Sequence, residues 1–277
     1  MADSYQLLAF YGELSPQEAY PQAKSAALKA LEIDPVRAEA YTSLARIKSS
    51  YDGDARGAEE DFRRAIEINP NYAPAHHWYS RHLFDLGRMD EAVLEARKAQ
   101  ELDPLSLIIN GSLAEILYCA RRFDDALKYF RRVREVDPSF HKVFITTYLY
   151  LTYMRRGMYE EAILENAGRL ADNAGPGKEA DAAAALRAAY ATAGERGIWQ
   201  KQIELAEKMK RGDRNLPLFM AEAYTRLGEN DQAFGWLNRA AGEKHPAMMS
   251  ISVDPDFDSL HPDPRFAELV RRVRTGQ

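Results

Sequence analysis

Four segments of the chain close in the same way: AALKALEIDP at Pro35, FRRAIEINP at Pro70, ARKAQELDP at Pro104 and FRRVREVDP at Pro138. The closing prolines therefore stand 35, 34 and 34 residues apart. A fixed period of this size marks one supersecondary unit stacked on itself. Proline cannot continue a helix and disfavours helical geometry in the residue before it, while Asp or Asn at that place suits a turn. Each Asp-Pro or Asn-Pro is read as the end of one helix and the hinge into the next. A second punctuation falls near the middle of the period, in DLGRMDEA ending at Ala92, CARRFDDA at Ala126, RRGMYEEA at Ala162 and RLGENDQA at Ala233. Gly87, Gly157 and Gly228 stand where a helix C-terminus needs left-handed backbone, and the acidic residues after them suit the next helix N-terminus. The repeating unit is a helical hairpin.

Side-chain size follows the same ruler. Ala45, Ser80 and Ala114 recur in the first helix of the unit, Ala58, Ala92 and Ala126 in the second, and Ala65 and Ala99 nearer its end. Small columns let helix axes approach, while Tyr41, Leu44, Tyr79, Leu83, Leu113, Leu117, Phe62 and Phe130 fill the space between them. In these columns, and in the proline that closes each period, the chain resembles the tetratricopeptide repeat family. The resemblance is strongest over residues 36–138 and less regular beyond. It implies an all-α, right-handed superhelix of about seven hairpins, with boundaries at 1–35, 36–70, 71–104, 105–138, 139–174, 175–212 and 213–243. Residues 244–277 form a C-terminal cap. In that cap Asp263 and Pro264 read as N-cap and first residue of a short helix whose apolar stripe is Phe266, Leu269, Val270 and Val273. Such a helix covers the open edge of the last hairpin, as repeat arrays require. The closing segment also resembles that of tetratricopeptide regions attached to bacterial winged-helix regulators, kinases and nucleotide cyclases. At the other end, ADSYQLLAFYG begins inside a first helix directly after Met1, which predicts a domain excised from a larger protein; the alternative is a native helix start capped by Asp3 or Ser4.

Composition removes several function classes. A net charge of -5 offers no basic stripe for phosphates, so direct nucleic-acid binding is not expected. Cys119 is the single cysteine, which excludes an internal disulfide and any site built on several thiolates, and it is read as a small buried hydrophobe. The most membrane-like run, VFITTYLYLTYM from Val143 to Met154, stops short of the ~20 apolar residues that span a bilayer. No signal peptide is visible, and a cytoplasmic location is expected.

The stretch APAHHWYSRHLFDLGRMDEA gathers His76, His77 and His82. Metal ligands on a helix converge at a spacing of three or four, whereas His76 and His77 splay by about 100° and His82 is five and six residues further on. No metal and no cofactor is expected. AGPGKEA around Gly177 and Lys178 lacks the first glycine and the Ser or Thr of a phosphate loop and reads as a connector. Glu59/Glu60, Asp124/Asp125 and Glu160/Glu161 lie at second-helix starts, where the helix dipole favours them. No catalytic constellation is found, so the chain is read as non-enzymatic.

The family resemblance gives the histidine stretch another role. First helices of successive hairpins line a concave groove, and the positions equivalent to His77, Arg81 and Phe84 face into it. Glu115 and Tyr118, then Met154 and Arg155, occupy the corresponding places further on. Together these seven residues are the expected contact set for a peptide or partner domain, with packing between hairpins as the alternative role for Phe84 and Tyr118, and for Leu151 beside them. His77 and Gly111 stand where chaperone-tail clamps in the family carry Lys or Asn, which argues against that ligand. The expected function is an interaction scaffold, the docking or sensor region of a bacterial signalling or regulatory protein; the alternative is a homodimerising module.

Overall fold

A computed structural model describes residues 1–10, 13–174, 179–207 and 215–275. It is helical throughout, with no strand among the described residues. The chain divides into two compact units, residues 1–116 and 117–277.

Unit 1 holds α1 (Ala2–Phe10), α2 (Pro16–Ile33), α3 (Ala38–Ile47), α4 (Ala55–Ile68), α5 (Ala73–Asp85), α6 (Met89–Leu102) and most of α7 (Leu107–Cys119), with a π-helical turn at Lys48–Asp52. Unit 2 holds the end of α7, then α8 (Phe123–Val136), α9 (Lys142–Arg155), α10 (Tyr159–Ala174), α11 (Glu179–Glu207), α12 (Leu216–Leu227) and α13 (Asn230–Gly242). Two 3-10 turns, Pro246–Ser250 and Pro255–Leu260, lead to α14 (Pro264–Thr275). Within α11 the backbone breaks at Ala193 and at Gly194, whose φ of 62° is left-handed. Gly177 and Lys178 lie outside the described residues.

Local chemistry explains the ruler. Asp34, Asn69, Asp103 and Asp137 leave the helix in an extended or near-extended conformation while their backbone N–H groups still donate to Ala30, Ala65, Ala99 and Val133. Their side chains then make turns of their own: Asp34, Asn69 and Asp137 accept from the backbone N–H groups of Val36, Asn71 and Ser139 at 3.2, 3.1 and 2.8 Å. That is why Asp or Asn precedes the proline. Inside the hairpins, Gly87, Gly157 and Gly228 have φ of 78°, 67° and 75°, and the next residue's N–H reaches back to the last helical turn. Arg121 takes the same left-handed geometry, φ 60°, without glycine's freedom, at a cost of about 1–2 kcal/mol.

The small columns are the points of closest approach. Ala58, Ala92, Ala126, Ala162 and Ala233 are wholly buried, as are Ala45, Ser80 and Ala114 in first helices. Phe62, Leu83, Leu113, Leu117 and Phe130 fill the core beside them, and Cys119 is buried among hydrophobic neighbours of its helix as expected. In the cap, Asp263 accepts from the N–H of Arg265 at 2.9 Å, and Phe266, Leu269, Val270 and Val273 pack with Ala233, Phe234, Leu237 and Ala240 of α13. No described helix is long and apolar enough to cross a membrane.

Candidate partner-binding site

In unit 1 the three histidines serve three different neighbours. His76 meets Glu95 through Nδ1 at 2.6 Å and the Pro70 carbonyl through Nε2 at 2.9 Å. Both nitrogens then face acceptors, which favours the protonated ring: burial works against the charge, but these two bonds outweigh it and raise the pKa. His77 pairs with Ser112 Oγ at 2.9 Å, and His82 with Ser49 Oγ at 2.8 Å. They share no ligand position.

His77 is buried, 4% exposed, and its pKa is pushed down to about 3, first by burial and then by the charges of Arg81 and Arg46. It is a neutral structural ring. Because the unfolded chain takes up this proton near pH 6.5 and the folded one does not, the unfolded state binds more protons in the window between about 6.5 and 3. The contribution to stability is full above that window and lost as pH falls through it. Replacing His77 by Gln should remove the effect. Between pH 7 and pH 5 the parent should lose about 2 kcal/mol more than His77→Gln in urea titrations; parallel losses in the two proteins would show that His77 is not held neutral.

Beside His77, Arg81 forms an ion pair with Glu115 of α7 and lies 4.8 Å over the Phe84 ring. On α3, the Arg46 guanidinium stacks 3.7 Å from the centroid of the half-buried Trp78 and lies 3.7 Å from Asp3. Burial pushes the Arg46 pKa down, with Asp3 opposing. Arg46, Trp78 and Arg81 thus form a partly exposed cationic and aromatic strip on the first helices of unit 1. Phe84 is wholly buried, and Glu115 is 8% exposed.

In unit 2, Tyr118 and Met154 are buried as well. Burial corrects the expectation for Phe84, Tyr118 and Met154: their apolar area is spent inside the fold, so they offer no free contact surface. Arg155 is not open either, because the chain's own C-terminal segment occupies it. Asp256 has no exposed side-chain surface and collects three donors: Tyr118 Oη on Oδ2 at 2.5 Å, and Arg155 Nη2 and Arg226 Nη2 on Oδ1 at 2.8 and 2.7 Å. Arg155 also donates to the Pro255 carbonyl at 2.5 Å, and Arg121 pairs with Asp258. Phe257, next in the chain, is wholly buried with Ala221, Leu237, Ile251 and Leu260. Glu222 lies nearby, 4% exposed, with carboxylate oxygens of Glu222, Asp254 and Asp256 within 4.8 Å of one another. Burial, then the neighbouring carboxylates, drive the pKa of Glu222 and of Asp254 well up. Three carboxylates at this spacing could hold a hard cation, but two guanidiniums already neutralise Asp256, and a retained proton relieves the remaining crowding at lower cost.

Asp256, Arg226, Glu222 and Arg121 carry this site and were not singled out from sequence. The only signal was the run of aspartates in VDPDFD, which nothing local connects to Tyr118 or Arg155.

A profile of the tetratricopeptide repeat family matches residues 51–106. The small glutamine-rich tetratricopeptide repeat-containing protein 2 of Mycosarcoma maydis is 31% identical over 87 residues, 31% of this chain and 24% of its own length, so the match spans about a quarter of that relative. Among solved structures, a tetratricopeptide repeat protein from Parabacteroides merdae aligns over 99% of both chains with a TM-score of 0.59 at 14% identity. PilW, a type IV pilus biogenesis factor, aligns over 91% of this chain and 97% of its own with a TM-score of 0.52 at 20% identity. Pseudomonas aeruginosa pilF aligns over 100% and 97% with a TM-score of 0.51 at 16% identity. At these identities the structures share the fold.

Proposed function

Since residues 51–106 match the tetratricopeptide repeat family and the chain shares its helical fold with a solved tetratricopeptide repeat protein, we propose that it is a non-catalytic scaffold whose open partner face is the first-helix strip of unit 1. Proteins of this family are in general interaction scaffolds. The observation that carries the reading is the Arg46–Trp78 stack beside Arg81: a half-buried Trp and two arginines, held by their neighbours, are the side-chain types that dominate binding energy at interfaces. The buried His77 ring lies 4.8 Å from the Trp78 ring, and Glu115 pairs with Arg81, so both hold the strip in place. The charge is mixed, with Asp3 and Asp85 exposed nearby, so binding should weaken only moderately with salt. The biological setting we propose is the docking or sensor region of a bacterial signalling or transcriptional regulatory protein. Its support is the closing segment's resemblance to such proteins.

Once a partner has been isolated by pull-down, Arg81→Ala and Trp78→Ala should each weaken it by about 1–2 kcal/mol in titration calorimetry while the helical circular dichroism is kept. Unchanged affinity in both variants would remove this strip as the site. Light scattering across a concentration series separates this reading from self-association, which predicts a mass that rises with concentration.

A further inference from the structure

The first-helix face of unit 2 is already filled by a peptide, and that peptide is part of the chain. Tyr118 on α7, Arg155 on α9 and Arg226 on α12 come from three separate first helices and converge on one carboxylate, Asp256. Arg121 extends the receiving surface to Asp258, from a left-handed backbone position that glycine takes in three other hairpins. The arrangement is that of a receptor for an acidic segment, with main-chain recognition through the Pro255 carbonyl and an apolar seat for Phe257.

The resident segment fits that receptor imperfectly in two respects. Asp254 and Glu222 crowd their carboxyl groups against Asp256, which only a retained proton relieves, while Arg155 and Arg226 both direct their η2 groups to Asp256. In addition, the Nε groups of Arg155 and Arg226 are buried without an acceptor among the described residues. An unmade buried hydrogen bond and crowded carboxylates are both costs that the bound state carries. A ligand that keeps the central aspartate and the phenylalanine but lacks the first aspartate would escape the crowding.

We propose that residues 254–258 are a resident ligand, and that the face they cover, built from Tyr118, Arg155 and Arg226, is a binding site for acidic peptides carrying aspartate followed by phenylalanine, which take the segment's place. The site is distinct from the strip on unit 1 and stands or falls independently of it. Such a peptide competes with a tethered copy of itself, so its apparent affinity is reduced by the fraction of molecules in which the segment is released. Weakening the tether's grip without altering the seat therefore strengthens binding in trans.

The probe is a fluorescently labelled peptide of residues 252–260, SVDPDFDSL, followed by anisotropy on the full chain. Asp256→Asn weakens the resident segment and leaves the seat intact, and it should bind the peptide about ten-fold more tightly than the parent. Adding Arg155→Ala should abolish that gain. No gain in Asp256→Asn, or a gain that survives Arg155→Ala, overturns the proposal. Hydrogen exchange on the unaltered chain tests it without any substitution: the amides of Asp256 and Phe257 should exchange about ten-fold faster than those of α12, through opening of the segment alone. Exchange of both at one rate would mean the segment leaves only when unit 2 unfolds, and would equally overturn it.

Discussion

Asp256→Ala is expected to lower the stability of unit 2 by about 3–5 kcal/mol, the loss typical when one partner of a buried ion pair is removed. The side chain has no exposed surface and binds Tyr118, Arg155 and Arg226 at once. Truncation leaves two guanidiniums and a phenol facing a cavity that water reaches poorly. The methyl that replaces the carboxylate can accept from none of them. Trp78 lies in unit 1, whereas Trp199 and Trp236 lie in unit 2 and follow its unfolding by fluorescence. In a Trp78→Phe background, where the signal comes from unit 2 alone, the urea midpoint should fall sharply. A midpoint within error of the parent would mean that the three donors find other acceptors, and that Asp256 does not anchor the C-terminal segment.

Phe257→Ala should cost about 3–5 kcal/mol by a different route, through loss of a large apolar group from a packed core. Phe257 is wholly buried against Ala221 of α12, Leu237 and Ala240 of α13, and Leu260, Phe266 and Leu269 of the cap. It thereby joins the segment to both the last hairpin and α14. The double variant Asp256→Ala with Phe257→Ala should lose clearly less than the sum of the two, because once either anchor is gone the segment no longer holds the other in place. The same urea titrations decide this: additive losses would mean that the two residues stabilise separate structures.

Much of the fold was legible because its information is local and repeated. The closing Asp34-Pro35, Asn69-Pro70 and Asp137-Pro138 turns are made by side chains bonding two residues onward, and Gly87, Gly157 and Gly228 supply left-handed geometry within their own hairpins. The columns Ala92 and Ala126 are wholly buried in the packed core, where small side chains let helices approach. A residue's place on the first helix could be read in the same way, and two residues placed so, Arg81 and Glu115, form an ion pair in the structure. Register does not say whether a side chain at an inward position is open or covered. Phe84, Tyr118 and Met154 have the right register and are buried.

The sequence by itself determined the helical hairpin, its period, its stops and the capping helix from Pro264, because each depends on interactions spanning a few residues or recurring every 34. Only the tertiary structure decided what meets Tyr118 and Arg155. Asp256 is 138 positions from the first and 101 from the second, and it stands outside the repeat, so no periodicity points from one to the other. Their meeting is set by how several hairpins stack and by where a non-repeating segment then runs. Those are sums of many weak packing terms that no single stretch of sequence displays, and they make the chain's own aspartate the occupant of the face that its register had marked for a partner.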